Sequence, residues 1–344
     1  MKTLSTVNIV RRLLSVLMIL AVPAIGAAQS KVATTAGQFL GISVGPRAIA
    51  MGSAYVASND DATSLYWNPG AFQKNAQSQV VFSTTGWLVD TDFRWAGFQY
   101  ALDAENAIGL SLTQLDYGED EVTTVTNPDG TGERWSAQDL SVGLSYCRRL
   151  TDRFSMGGTL KWIEQRVYNE SASAVAFDLG LLFITDFNDL RLGVSMTNFG
   201  GDLKMDGRDL LTPVDIDPAN SGSNKSLVGS LKTDAWPLPL TFRVGVAMDA
   251  YQDNQFRVTV AADAILPNDN EAGVNAGAEV GWSDLLFVRG GYKSIVGGET
   301  EETFSLGAGL KYHVEGFATL QVDYAFTEFG VFGNLNTFAL SIGF

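Results

Sequence analysis

Carboxylates are the reactive groups that this sequence supplies in number. Among 344 residues there are 38 Asp and Glu against 23 Lys and Arg, with one histidine, His313, and one cysteine, Cys147. Adjacent acids such as Asp60-Asp61 and Glu119-Asp120-Glu121 are the material of general acid–base pairs, but no nucleophile, oxyanion motif or metal set accompanies them. The scarcity of His and Cys argues against zinc clusters, Ser/His/Asp triads and Cys/His pairs. Cys147 has no partner for an intrachain disulfide. Asp206, Asp209, Asp215 and Asp217 are not spaced like the ordered ligands of a Ca²⁺ loop, and read as a solvated surface loop. Gly297-Gly298 marks a hairpin rather than a phosphate cradle, since no helix follows it. The expectation is a non-enzyme that calls for no cofactor or metal.

A second set of charges, of both signs, falls at alternate positions: Lys161, Asp178, Arg191, Arg243, Asp263, Glu279, Arg289 and Asp323 are examples. On strands these positions share a face with Gly, Ser and Thr, opposite a face of large apolar residues. Such a face suits a polar lumen whose ions pair with one another and with Arg47, Asp60 and Asp61, because an unpaired buried charge is costly. A gated substrate path and a salt-bridged plug both fit. The net charge is −15, and −18 after removal of the three cations Lys2, Arg11 and Arg12, which excludes nucleic acid as a natural partner.

The elements that would position these groups are strands. Lys2, Arg11 and Arg12, the apolar run Leu13 to Val22 and the small residues before Gln29 have the layout of a secretory signal peptide cleaved after Ala28. Beyond it no apolar stretch reaches the roughly 20 residues of a membrane helix. From about residue 78 onward the dominant pattern has period two. Strands are expected near 78–88, 91–101, 105–117, 134–149, 152–166, 173–184, 188–199, 238–250, 254–266, 271–282, 284–296, 302–313, 316–327 and 335–344. Their number is even, and each is about as long as the roughly 9–11 residues a tilted membrane strand needs. Connections after even-numbered strands are tight, as in Leu102-Asp103-Ala104 and Ser283, whereas the long ones, 118–133 and 200–237, follow odd-numbered strands. Sorting of loops by parity is the asymmetry of an outer-membrane barrel with both termini in the periplasm. A soluble sandwich has no reason for it. Trp87, Trp95, Trp135, Trp162, Trp236 and Trp282 lie near strand ends, where an interfacial belt would place them, although ordinary packing is an equal explanation.

Residues 37–75 break the alternation. Here Gly45-Pro46-Arg47-Ala48-Ile49-Ala50-Met51-Gly52-Ser53-Ala54 leads to Asp60-Asp61-Ala62 and to Tyr66-Trp67-Asn68-Pro69. The acids precede a short helix as N-caps do, and Asn68-Pro69-Gly70 ends it in a turn. This motif, with Arg47, Met51, Gly52, Asp60, Asp61, Tyr66, Trp67, Asn68 and Pro69 as its marked positions, resembles the N-terminal hatch of the PorV/PorQ family, which is related to FadL-type long-chain fatty-acid transporters. It departs at Gly70, where the FadL-type pattern usually has alanine. The chain's ending, with Phe338, Leu340, Ile342 and Phe344 alternating, resembles the signal by which the barrel-assembly machinery recognises outer-membrane proteins.

The combined expectation is an all-β, transmembrane antiparallel β-barrel of about 14 strands in the bacterial outer membrane. Residues 1–28 would be a signal peptide, 29–77 a hatch or plug inside the lumen, and 78–344 the barrel. For the PorV branch the resemblance implies type IX secretion, with secretion subunits or the C-terminal signal domains of exported proteins as partners. For the FadL branch it implies passive uptake of hydrophobic molecules. The inward rows offer mostly Gly, Ser, Thr and charges, not the apolar pocket that uptake requires, which favours the first. A general porin is disfavoured by the plug.

Overall fold

Large apolar side chains cannot face a polar lumen, nor charges the lipid, so a chain alternating the two forms strands that close into a ring. The computed structural model describes residues 32–58, 61–72, 77–215, 227–297, 300–314, 316 and 318–344. The expected signal peptide and Asp60 lie outside the described residues, as does Asp217. Fourteen antiparallel strands form the ring: β1 (Gln79–Gly86), β2 (Asp92–Ala101), β3 (Asn106–Glu121), β4 (Arg134–Thr151), β5 (Phe154–Val167), β6 (Glu170–Ile184), β7 (Arg191–Gly200), β8 (Thr241–Gln252), β9 (Phe256–Pro267), β10 (Gly273–Trp282), β11 (Leu286–Gly297), β12 (Glu302–Val314), β13 (Ala318–Phe329) and β14 (Asn334–Gly343). Sequential neighbours pair, and β1 closes on β14 with Val80 opposite Ile342 and Phe82 opposite Leu340. The closed ring leaves no strand edge unpaired in the bilayer.

Burial alternates as the sequence pattern requires. On β13, Leu320 and Val322 face outward while Asp323, Ala325 and Thr327 are buried inward. Phe338, Leu340 and Phe344 are exposed on the outer face of the closing strand, with Ile342 half-buried in the same row. Trp95 departs from the expected belt. At 3 % exposure it shares the inward row with Phe93 and Gln99, because strand parity, not proximity to a strand end, decides the face. Trp162 and Trp282 are exposed in outward rows and Trp236 is exposed in the long connection, whereas Trp135 has the inward parity of Ala137 and Asp139 and faces the mouth of the lumen.

The two rims differ as anticipated. At the short-turn rim an acidic side chain clasps the backbone. Asp103 accepts hydrogen bonds from the N–H groups of Glu105 and Asn106, each at 2.7 Å, and Asp253 does so from Gln255 and Phe256. The Asn106 amide, then these backbone donors, hold the Asp103 carboxyl below the usual carboxylate range. At the opposite rim β3 and β4 extend to Glu121 and Arg134, and residues 201–240 form the longest connection. Its described parts, 201–215 and 227–240, are more ordered than a solvated loop. Leu203–Lys204 pairs with Ala235–Trp236, Leu211–Pro213 with Val228–Ser230, and Asp206–Gly207 with the start of β6. The β5–β6 connection on the same rim shrinks to Tyr168 and Asn169, since β6 begins earlier than the alternation suggested.

Phe344 lies at the short-turn rim, bonded through its N–H to Ser78. The described N-terminal end does not join it there. Ala36 donates to the Pro237 carbonyl at 2.9 Å, and Thr35 donates to Asp269 at 2.6 Å, both among the long-loop connections. The expectation that both termini share the short-turn rim is met by the C-terminus, while the N-terminus itself lies outside the described residues. The chain from Val32 travels the length of the lumen before reaching β1.

Candidate functional site

The lumen is occupied by residues 36–58 and 61–72, and the turns of this segment have local causes. Gly45, with φ of +82°, permits the sharp entry into α1 (Pro46–Ala50), where proline stands in the first turn without a missing donor. Gly52, at φ +64°, turns the chain back. Asp61 accepts from the Thr63 N–H at 2.9 Å, so it clasps the turn that precedes α2 (Ser64–Trp67) rather than acting as the helix N-cap. Trp67 donates from its indole to the Val44 carbonyl at 2.9 Å, and the Tyr66 hydroxyl donates to the Leu40 carbonyl at 3.1 Å. Asn68 ends the helix by donating to both the Val56 and the Leu181 carbonyls, each at 2.9 Å. One amide thereby ties the segment to itself and to β6.

Glycines in the wall admit this backbone. Gly157, Gly180, Gly193, Gly277 and Gly291 face inward on five strands. A Cβ at any of them would lie inside van der Waals contact with segment atoms of Pro69, Asn68, Val56, Met51 or Gly52. Wall hydroxyls complete the fit, with Ser305 donating to Ile49 and Ser155 to Gly70, both at 2.6 Å. The departure at Gly70 has the same cause, since a side chain there would meet the Gly180 carbonyl. Gly70→Ala should destabilise this docking by about 1–3 kcal/mol, measured as faster proteinase K cleavage within the segment of the purified protein.

Charges fix the segment's position. Arg47 donates from Nε to Glu279 at 2.8 Å and from a terminal nitrogen at 2.9 Å, reaches Asp61 at 3.5 Å and lies over the Tyr55 ring. Tyr55 donates its hydroxyl to Asp61 at 2.8 Å. Across the lumen, one oxygen of Asp263 accepts from the N–H groups of both Tyr55 (2.7 Å) and Val56 (2.8 Å). The structure thus joins Arg47, Asp61, Tyr66, Trp67, Asn68 and the backbone of Met51 and Gly52 into one docked unit. Glu279 and Asp263 were legible only as inward charges. Tyr55 gave no signal of its own.

A cavity lies at each end of the lumen, beyond the docked segment. The one at the short-turn rim, of about 870 Å³, is polar, with Arg191, Arg257, Asp249 and several glutamines in its wall. The one at the long-loop rim, of about 930 Å³, has Phe39, Ile42, Trp67, Leu115 and Trp135 in its wall. The expectation that the lumen lacks an apolar pocket thus needs correction. Its apolar surface comes from Phe39, Ile42 and Trp67 of the segment, joined by Leu115 and Trp135, large apolar exceptions in the inward rows of β3 and β4.

A family model described as type IX secretion system protein PorV matches residues 25–209. Comparison with curated proteins finds no match. In structure, the chain is similar to the CymD monoaromatic hydrocarbon channel, with TM-score 0.56 and 13% identity, covering 87% of this chain and 96% of that one. It is also similar to the toluene transporter TodX of Pseudomonas putida (TM-score 0.53, 11% identity, 87% and 97% covered). TbuX of Ralstonia pickettii, a toluene transporter, gives TM-score 0.51 at 13% identity, with 87% and 97% covered. At these identities the likeness shows the shared fold.

Proposed function

Because this chain belongs to the family of type IX secretion system protein PorV, we propose that it is a non-enzymatic accessory of protein secretion that binds exported proteins or secretion-machine subunits at its long-loop rim. It is a protein of the bacterial outer membrane, so its apolar outer face meets outer-membrane lipid and its long loops face outward. The observation that supports a binding role is that the segment blocks the middle of the lumen, while the outward rim carries an ordered surface. That surface is the extended β3–β4 hairpin and the paired short strands within 203–213 and 228–236. Purification from mildly solubilised outer membranes, followed by mass spectrometry, tests it. Co-purifying secretion subunits or exported proteins sharing a C-terminal domain are expected. A solitary barrel would refute it.

A FadL-like role in uptake of hydrophobic molecules is the second reading, favoured by the apolar-walled cavity under the long loops. It predicts that a solitary barrel carries lipid or another apolar solute.

The alternating ending is proposed to serve as the assembly signal. Phe344→Asp would place a charge on the lipid-facing row of the closing strand, and the amount of heat-modifiable barrel in the outer membrane should fall several-fold on electrophoresis. Normal amounts would remove that role from Phe344.

A further inference from the structure

The cavity at the short-turn rim has a wall of paired ions and unengaged amides. Each cation in that wall already meets a carboxylate. Arg191 reaches Asp249 at 3.2 Å, Arg257 reaches Glu279 at 3.5 Å and Lys311 reaches Asp284 at 2.9 Å. Arg47 and Arg289 belong to the Glu279 cluster, and Arg153 pairs with Asp186. An anionic ligand would have to break one of these pairs. An apolar ligand finds little surface either. The large apolar side chains of the wall are Ile184, Phe256 and Phe287, and the guanidinium groups of Arg257 and Arg289 lie over the Phe287 ring. What the wall offers instead is six glutamines: Gln77, Gln79, Gln99, Gln252, Gln255 and Gln321. Among the described residues the side chains of Gln252 and Gln255 have no hydrogen-bond partner, and Gln79 uses only its oxygen, which accepts from the Ala62 N–H at 2.8 Å. Gln99 is 2 % exposed and donates to the Gln77 carbonyl at 2.8 Å, which leaves its buried Oε1 without a partner. Buried acceptors are normally satisfied, and a ligand hydroxyl would satisfy this one.

We propose that this cavity binds a short neutral oligosaccharide. Sugar hydroxyls both donate and accept, as glutamine amides do, and the C–H faces of the rings need only the small apolar surface of Ile184 and Phe256. The volume of about 870 Å³ lies within the roughly 300–1,000 Å³ of small-ligand sites. A peptide would call for a free strand edge or deep side-chain pockets, and the closed ring supplies no edge. Two sources carry the sugar chemistry: a soluble saccharide built of hydroxyls alone, and the end of an N-acetylated glycan strand. The site lies at the rim opposite the long loops, so it stands without the secretion role.

The experiment uses the purified full-length protein in lipid nanodiscs. Saturation-transfer NMR titrations compare maltotriose, triacetylchitotriose and the anionic trigalacturonate. At least one neutral trisaccharide should bind with a Kd of about 1 mM or tighter. The double variant Gln252→Ala, Gln255→Ala should bind it about fivefold or more weakly. Gln114→Ala, on the lipid-facing row of β3, should leave binding unchanged. A preference for maltotriose assigns the site to soluble saccharides, one for triacetylchitotriose assigns it to glycan ends, and equal binding shows that hydroxyls alone are read. Absence of transfer to both neutral sugars in the wild-type protein overturns the proposal, whether or not the variants fold. So does tighter binding of trigalacturonate than of either neutral sugar, or binding undiminished in the folded double variant.

Discussion

Glu279→Gln should lower the stability of the folded barrel by about 3–5 kcal/mol, the usual cost of removing one partner from a buried ion cluster. Three guanidinium groups converge on this carboxylate. Arg289 reaches it at 2.7 Å, Arg47 at 2.8 Å and Arg257 at 3.5 Å. Glutamine keeps the shape and removes the charge, so the loss reports the cations left behind. Asp323, 2.6 Å from Arg289, and Asp61, beside Arg47, limit the damage without reaching Arg257. Removing Arg47 instead leaves Glu279 two cations, so Arg47→Met should cost less. Glu119→Gln provides the surface comparison. Its partner Arg134, at 3.3 Å, is half exposed to water, and a change within about 0.5 kcal/mol is expected. Urea titration followed by the electrophoretic shift of folded barrel measures all three. Equal midpoints for the Glu279 and Glu119 variants would show that the cluster does not hold the fold.

The second large effect is expected at Gly291. Its missing side chain points at the Gly52 N–H and the Met51 carbonyl carbon, backbone atoms that cannot swing aside as a flexible side chain can. Gly291→Val would insert three carbons there and expel the segment from β11, at a cost above the roughly 1–3 kcal/mol of ordinary overpacking. Its neighbour supplies the control. Gly290 faces lipid, and a Cβ there would meet only a Leu306 methyl at 3.3 Å. Cells carrying Gly291→Val should admit a bulky antibiotic that the wild-type barrel excludes, with sensitivity rising at least severalfold. Gly290→Ala should not change it. If both variants behave as wild type, the segment does not seal the lumen.

The ring itself was readable because lipid and lumen impose opposite chemistry on alternate residues, and every strand reports it independently. The rims were readable because turn length sorts by parity. What escaped was anything set by contact between distant segments. Trp95 reads like a belt residue until its parity with Phe93 places it inside. Tyr168 and Asn169 looked like part of a longer loop, because the polar start of β6 hides its pairing with β5. In the site, Arg47 and the Tyr66-Trp67-Asn68-Pro69 stretch stood out by composition. Their partners did not: Val44 and Leu40 act through carbonyl oxygens, and any residue type could supply those. The wall glycines were visible only as small residues, because what they admit lies 88 or more positions away.

The path of the segment has a topological consequence. It enters among the long loops, where Ala36 bonds to Pro237, and leaves at the other end, where Gln99 donates to the Gln77 carbonyl at 2.8 Å. A cord running through a closed hoop cannot be lifted out sideways. It leaves by being drawn along the axis, or the hoop must part where β1 meets β14. Insertion faces the same restriction in reverse. The β1–β14 seam is therefore also a latch. The molecule is threaded as well as folded, and unthreading is a separate event from local melting of the segment.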